Sequence, residues 1–150
     1  MSNDDQQLLM EMQRHVIELR RKYYSVPSKS RINIANQLYQ YFDVGIKDVA
    51  LLCSLIEAVS RSIIIHSDDN SLTVEEKYEK YRNTKVIRLV NLVFGIKHVN
   101  IKNELGIDWD FFKMSVKYRN LFVHEATFLN QEYSSKLISA CEKVYKIVSE

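Results

Sequence analysis

The sequence predicts an all-α fold, an antiparallel bundle of five or six helices. Turn-forming residues are scarce, with three Gly and one Pro among 150 residues, so few connections can separate the elements. Large apolar residues recur at steps of three and four along most of the chain, which is the period of an amphipathic helix. With 46% hydrophobic residues the chain can bury one core, and we expect a single domain over residues 1–150.

Composition narrows the class of protein. Charged residues make up 27% of the chain and the formal net charge is +2, which neither indicates nor excludes nucleic-acid binding. Cys53 and Cys141 each fall in an apolar helical row, which is typical of buried thiols in a reducing cytosol. Because no apolar run is long enough to span a membrane and the first residues are polar and acidic, we expect a cytoplasmic protein with neither membrane span nor signal peptide.

The first two helices are predicted on either side of Pro27, which breaks the chain. The first covers about residues 4–24 and ends in cations that suit the negative end of a helix dipole. The second is short and covers about residues 30–41. The apolar positions at helical spacing are Leu8, Met12, Val16, Leu19 and Tyr23 in the first helix, and Ile34, Leu38 and Tyr41 in the second.

The segment from about residue 46 to residue 65 is apolar almost all round. Projected at about 100° per residue, it leaves one narrow polar strip. A helix covered in this way is expected at the centre of the bundle, with packing partners on most sides. The strip consists of Lys47, Ser54, Glu57 and Arg61.

Capping signals divide the second half of the chain. Thr73 to Glu76 fits a capping box and opens a helix that runs to about Phe94. Asp108 is a plausible N-cap for a helix from residue 109 to about 124, and Asn130 for the last helix. The last helix is expected to carry Tyr133, Leu137, Cys141, Val144 and Val148 on one face.

The penultimate helix concentrates polar side chains between two apolar stripes. One line of them, at steps of four, three and four, offers cations, an amide and an imidazole to a phosphate or an RNA backbone. Arg119 lies on the other flank, about 140° around a regular helix from His124. Both can serve one cleft if the Arg119 side chain wraps round, the last turn unwinds, or a symmetry mate completes the site, so a dimer is favoured. The line consists of Lys113, Lys117, Asn120 and His124.

The spacing Arg119-Asn120-x-x-x-His124 resembles the Arg-x(4–6)-His signature of the HEPN superfamily, in its common Arg-Asn-x-x-x-His form. The place of the motif, at the end of the penultimate helix, is also similar to the family. HEPN proteins are all-helical bundles of four or five helices, and many are endoribonucleases of toxin–antitoxin and antiviral systems. The resemblance implies a HEPN-like bundle that acts as a homodimer on RNA, without a metal or a cofactor, and that an antitoxin or other protein can regulate.

The resemblance also implies roles for individual residues. The ribose 2′-OH would attack the adjacent phosphate, leaving a 2′,3′-cyclic phosphate. His124 would be the general acid or base, since imidazoles ordinarily titrate near pH ~6.5. Arg119 would hold the phosphate, and Asn120 would either donate a hydrogen bond to the substrate or fix its neighbours. Substrate binding is expected to involve Lys113, Lys117 and Ser54.

Glu57 has two interpretations that the sequence leaves open. It is four residues before Arg61, which suits an ion pair along one helix. It is also a candidate catalytic-site carboxylate that orients Arg119 or His124. HEPN proteins often carry an acidic or polar residue on the second long helix, and the placement of Glu57 and Ser54 is similar.

Two other functions compete with RNA cleavage. A HEPN-like dimer can bind nucleic acid, a nucleotide or a partner protein without cleaving it. Alternatively, Arg119 and His124 are ordinary helix-end residues of an unrelated helical interaction domain. No Cys-x-x-Cys and no Gly-rich phosphate loop is present, so the motifs indicate neither a zinc site nor a nucleotide loop. A basic cluster near the end of the first helix has two interpretations, a surface that guides RNA or a solvated helix end. It consists of Arg20, Arg21, Lys22, Lys29 and Arg31.

Overall fold

The computed structural model of the protein describes residues 3–41, 48–68, 71–125 and 131–150. This part of the chain forms eight helices and contains no strand, which confirms the all-α prediction. Within it, no helix is both long enough and apolar enough to cross a bilayer. The helices are α1 (Asn3–Ser25), α2 (Ser28–Tyr41), α3 (Val49–Ile65), α4 (Val74–Tyr81), α5 (Val86–Ile96), α6 (Ile101–Glu104), α7 (Asp108–Glu125) and α8 (Gln131–Ser149).

The helix count in the described residues exceeds the predicted five or six, for two reasons. The single helix expected from Thr73 to Phe94 is two helices, because the chain turns after Tyr81 and Lys85 is extended (φ −68°, ψ 150°). Asn83 and Thr84 lie in this turn, and such side chains compete with the backbone bonds of a helix. In addition, α6 is a single turn between the predicted helix that ends near Phe94 and the one that begins at residue 109, and Asn100 caps it.

The helix α3 is the centre of the molecule, as its nearly continuous apolar surface predicts. It packs against α2, α4, α5, α7 and α8. Asp48 caps its first turn, because the carboxylate accepts a hydrogen bond from the backbone N–H of Leu51 at 2.6 Å. Its predicted first residues, 46 and 47, lie outside the described part of the chain. The fully buried large side chains of α3 and of the helices packed on it include Leu52, Ile56, Val59, Leu89, Val93, Phe94, Phe112 and Val144.

The helix α1 contributes no side chain to the core, because none of its residues is fully buried. Its C-terminal end is attached to the bundle by Tyr23, whose hydroxyl donates to the carbonyl of Ala58 at 2.5 Å. The rings of Tyr23 and Tyr24 also contact Tyr78 of α4. The apolar side chains between residues 8 and 19 remain about half exposed.

The last two long helices pack together and against α3. The helix α7 includes Asp108, which was expected just before it, and the Asp108 carboxylate pairs with Lys143 of α8 at 2.6 Å. The predicted apolar face of α8 is buried from Leu137 to Val148, whereas Tyr133 is 54% exposed. The expected cap Asn130 lies outside the described residues.

Candidate functional site

A carboxylate of α3 and a guanidinium of α7 meet where these two helices pack. The Arg119 Nη1 donates to Glu57 Oε1 at 3.3 Å. The Arg119 side chain is 18% exposed and that of Glu57 is 30% exposed, so the pair is partly shielded from water. Partial burial strengthens a charge-assisted hydrogen bond relative to one on the open surface.

The second oxygen of Glu57 serves the other arginine of the site. Arg61 Nη2 lies 3.4 Å from Glu57 Oε2, and Arg61 Nε donates to the carbonyl of Tyr81 at 3.1 Å. Glu57 therefore makes two contacts at once, the pairing with Arg61 along α3 and the contact with Arg119. One carboxylate between two guanidiniums leaves a local excess of one positive charge, which suits an anionic ligand.

Asn120 completes the arrangement around the Arg119 guanidinium. Its Oδ1 accepts from Arg119 Nη2 at 3.2 Å and from Arg119 Nε at 3.4 Å. The guanidinium therefore extends from its own flank of α7 toward the polar line that contains Asn120. Three of its nitrogens donate to protein acceptors, which orient the guanidinium without a ligand. The Glu57–Arg119–Asn120 cluster is the name used below for these three residues.

His124 is not joined to this cluster by any contact among the described residues. It is the penultimate residue of α7, and its side chain is exposed. In the described part of the chain its imidazole has neither a hydrogen bond nor an ion pair. An exposed imidazole at a helix end is accessible to a ligand or to a second protein molecule.

The expected substrate-binding residues also lie outside the cluster. Lys113 Nζ pairs with Asp110 Oδ1 at 3.3 Å. Lys117 and Ser54 are exposed, on α7 and α3 respectively. The two lysines remain on the same line of α7 as Asn120, so they extend the positive surface beyond Arg119 without touching it.

Beneath the cluster the core contains two buried thiols and a buried hydroxyl. Cys53 and Cys141 are free and buried. A hydrogen bond with Cys141, together with burial, raises the pKa of the Cys53 thiol above its ordinary value. The Ser115 hydroxyl lies 3.0 Å from the Phe111 carbonyl and is fully buried. Cys53 lies one turn before Glu57 on α3, and Ser115 lies one turn before Arg119 on α7.

Tyr23 was predicted only as an apolar helix position, yet it lies beside Arg61, the arginine that pairs with Glu57. Burial raises its pKa to about 12, although the Arg61 and Arg31 guanidiniums act against this. The phenol therefore stays protonated and donates to Ala58, the residue after Glu57. Its place as the last member of the apolar stripe of α1 is a packing signal, so the sequence could not distinguish this polar role.

Among the described residues, no group of three or more His, Cys, Asp and Glu side chains is arranged to hold a metal ion. Comparison with models of protein families, with curated proteins and with solved structures finds no match to this chain.

Proposed function

We propose that the protein is a metal-independent endoribonuclease of the HEPN type that acts as a homodimer. The observation that carries the proposal is the Glu57–Arg119–Asn120 cluster, in which the arginine of the motif is oriented by two acceptors at 3.2–3.4 Å. A pre-oriented guanidinium can stabilise charge on a phosphate without reorganising during the reaction.

In the proposed reaction the ribose O2′ attacks the adjacent phosphorus while the bond from phosphorus to O5′ breaks. The proton of the 2′-OH passes to a general base, and a general acid returns a proton to the departing O5′. The products are a 2′,3′-cyclic phosphate and a 5′-hydroxyl. His124 is one of the two proton-transfer groups, and such catalysis contributes about 10²–10⁴ in rate. Arg119 binds the non-bridging oxygens.

A homodimer would bring together motif residues that are not in contact within one chain. Within one chain, no described contact links His124 to the Arg119 guanidinium. A two-fold arrangement of α7 would bring two imidazoles and two guanidiniums to one cleft, so that one imidazole acts as base and the other as acid. The exposed Leu121 and Val123 beside the motif are apolar surface that such an arrangement would cover.

The test is cleavage of a labelled single-stranded RNA in the presence of a chelator. We expect cleavage by the natural protein, an end group identified by mass spectrometry as a 2′,3′-cyclic phosphate, and at least about 100-fold slower cleavage by Arg119→Ala and by His124→Ala. Arg82→Ala is the matched control, because Arg82 also precedes an Asn but has Ile87 where the motif has His. Full activity of both Arg119→Ala and His124→Ala would refute the proposal.

The same RNA distinguishes cleavage from binding alone. If RNA binds without turnover, and His124→Ala binds as well as the natural protein, the chain is a HEPN-like binding module. We further propose a toxin–antitoxin or antiviral setting, with an antitoxin as the regulating partner. Expression that arrests growth in the natural form but not in the His124→Ala form would support that setting.

A further inference from the structure

The outer part of α1 carries an apolar surface that the rest of the described chain does not cover. Its large apolar side chains are between 45% and 56% exposed, although they occupy successive turns of one helix. Scattered exposed apolar residues are ordinary, but a continuous row marks an interaction surface. The row consists of Leu8, Leu9, Met12, Val16, Ile17 and Leu19.

The spacing within this row is that of a two-stranded coiled coil. Leu9, Met12, Val16 and Leu19 follow one another at steps of three, four and three. This is the spacing of the a and d positions of a heptad repeat, which places the four side chains along one seam facing a second helix. A shallow concavity on this face is lined by Leu9, Met12, Val16 and Ile17 among others.

The two ends of α1 carry charges of opposite sign. Asp4 and Asp5 lie in the first turn, whereas Arg20, Arg21 and Lys22 lie near the other end. In an antiparallel pair of identical helices, the acidic end of each lies beside the basic end of the other. A parallel pair would instead place like charges together, which costs free energy.

We propose that α1 is a self-association surface, on which the α1 of a second copy of this chain packs antiparallel. Seam position 9 then faces position 19 of the second copy, and position 12 faces position 16, with the two-fold axis near residue 14. Ile17 lies on the flank, so five of these side chains, each about half exposed, are covered. This buries roughly 450 Å² per copy, or about 900 Å² in total, which is the size of a weak, reversible interface.

This association does not depend on the proposed RNA cleavage, and it uses a different helix from the Arg119–His124 motif. The first experiment is sedimentation velocity of the full chain over a range of concentrations. We expect a reversible association through α1, which pairs monomers or, where the proposed α7 homodimer also forms, pairs those dimers. Its dissociation constant should rise at least about tenfold in Val16→Lys, because the ammonium would be buried in the seam. Gln7→Lys adds the same charge on the polar face of α1 and should leave the dissociation constant within about twofold.

The second experiment fixes the orientation by cross-linking. Leu9→Cys and Leu19→Cys are prepared separately, and both native cysteines are buried. Under mild oxidation we expect a disulfide-linked dimer when the two variants are mixed and little when either is alone. Efficient cross-linking of Leu9→Cys alone would indicate a parallel pair and refute the proposal. A molecular mass that does not change with concentration would refute it as well. So would a concentration-dependent association that Val16→Lys leaves unchanged, and that result would assign the contact to another face.

Discussion

Arg119 of α7 and Glu57 of α3 are joined by a hydrogen-bonded ion pair of 3.3 Å that connects the helix carrying the motif to the central helix. Because both side chains are partly shielded, we expect a coupling energy of about 0.5–1.5 kcal/mol between them. A double-mutant cycle of Glu57→Ala and Arg119→Ala, measured by urea unfolding, gives this energy directly.

The matched control for that cycle is the ion pair of Arg82 with Glu79, whose side chains are 37% and 59% exposed. Its coupling should stay below about 0.5 kcal/mol, since exposed pairs are strongly screened. If the two cycles give the same small value, the Glu57–Arg119 contact does not persist in solution.

Thr73 and Glu76 form a capping box at the start of α4, as the sequence predicts. The Thr73 Oγ1 accepts from the backbone N–H of Glu76 at 3.1 Å, and the Glu76 carboxylate accepts from the backbone N–H of Thr73 at 3.2 Å. Thr73→Ala should lower the free energy of unfolding by about 1 kcal/mol, because an end-turn N–H loses its acceptor. Thr73→Ser keeps the hydroxyl, and its free energy of unfolding should stay within about 0.3 kcal/mol of that of the natural protein. Equal losses in both variants would contradict the role of the hydroxyl.

His98 adopts a left-handed backbone conformation, with φ of 56°, directly after α5. The turn is closed by a hydrogen bond from the Val99 N–H to the Phe94 carbonyl at 2.9 Å, which is the pattern of a Schellman motif. Since glycine adopts this conformation at no steric cost, His98→Gly should raise the free energy of unfolding by about 0.5–1 kcal/mol. The unfolding temperatures of His98→Gly and His98→Ala test this expectation. An alanine variant more stable than the glycine variant would contradict it.

His66 ends α3, and its environment makes stability depend on pH. Burial lowers the pKa of its imidazole below the ordinary 6.5, with the Lys77 ammonium acting in the same direction. The unfolded chain therefore takes up this proton at higher pH than the folded chain. The contribution of His66 is complete above pH 6.5 and is lost as the pH falls from 6.5 through the lowered pKa.

Unfolding temperatures measured from pH 7.5 to pH 5.5 test this dependence. We expect the fall toward pH 5.5 to be smaller in His66→Gln than in the natural protein. His98→Asn, which also removes one imidazole but keeps a residue tolerant of left-handed backbone, should retain the natural slope. An unchanged slope in His66→Gln would show that other groups cause the acid sensitivity.

Local patterns predicted those features that depend on a single helix. The all-round apolar surface of α3 indicated its central place, and the sequence Thr73 to Glu76 indicated the capping box. The division between α4 and α5 was missed, because the apolar spacing continues across a turn that Asn83 and Thr84 allow. The exposure of the apolar face of α1 could not be predicted either, since periodicity shows that a helix has an apolar face but not whether anything covers it.

The candidate site was predictable in its residue types and less so in its contacts. Glu57 and Arg119 could be singled out by the polar strip of one helix and the motif of another. That they touch depends on the axial offset between α3 and α7, which no local pattern encodes. The contact between Arg119 and the adjacent Asn120 was among the expected alternatives, but periodicity alone could not select it, because neighbouring side chains on a helix point in different directions unless a long one bends back.

Because α1 is not buried in the bundle, we expect its backbone amides to exchange with solvent faster than those of α3. Hydrogen exchange in the outer turns of α1 needs only the opening of that helix, which exposes little new surface and therefore costs little free energy. Amides of α3, which is surrounded by five other helices, exchange only when most of the bundle opens. Pairing of α1 with a second copy would slow its exchange as protein concentration rises while leaving α3 unchanged, so the rates of these two helices report association and folding separately within one experiment.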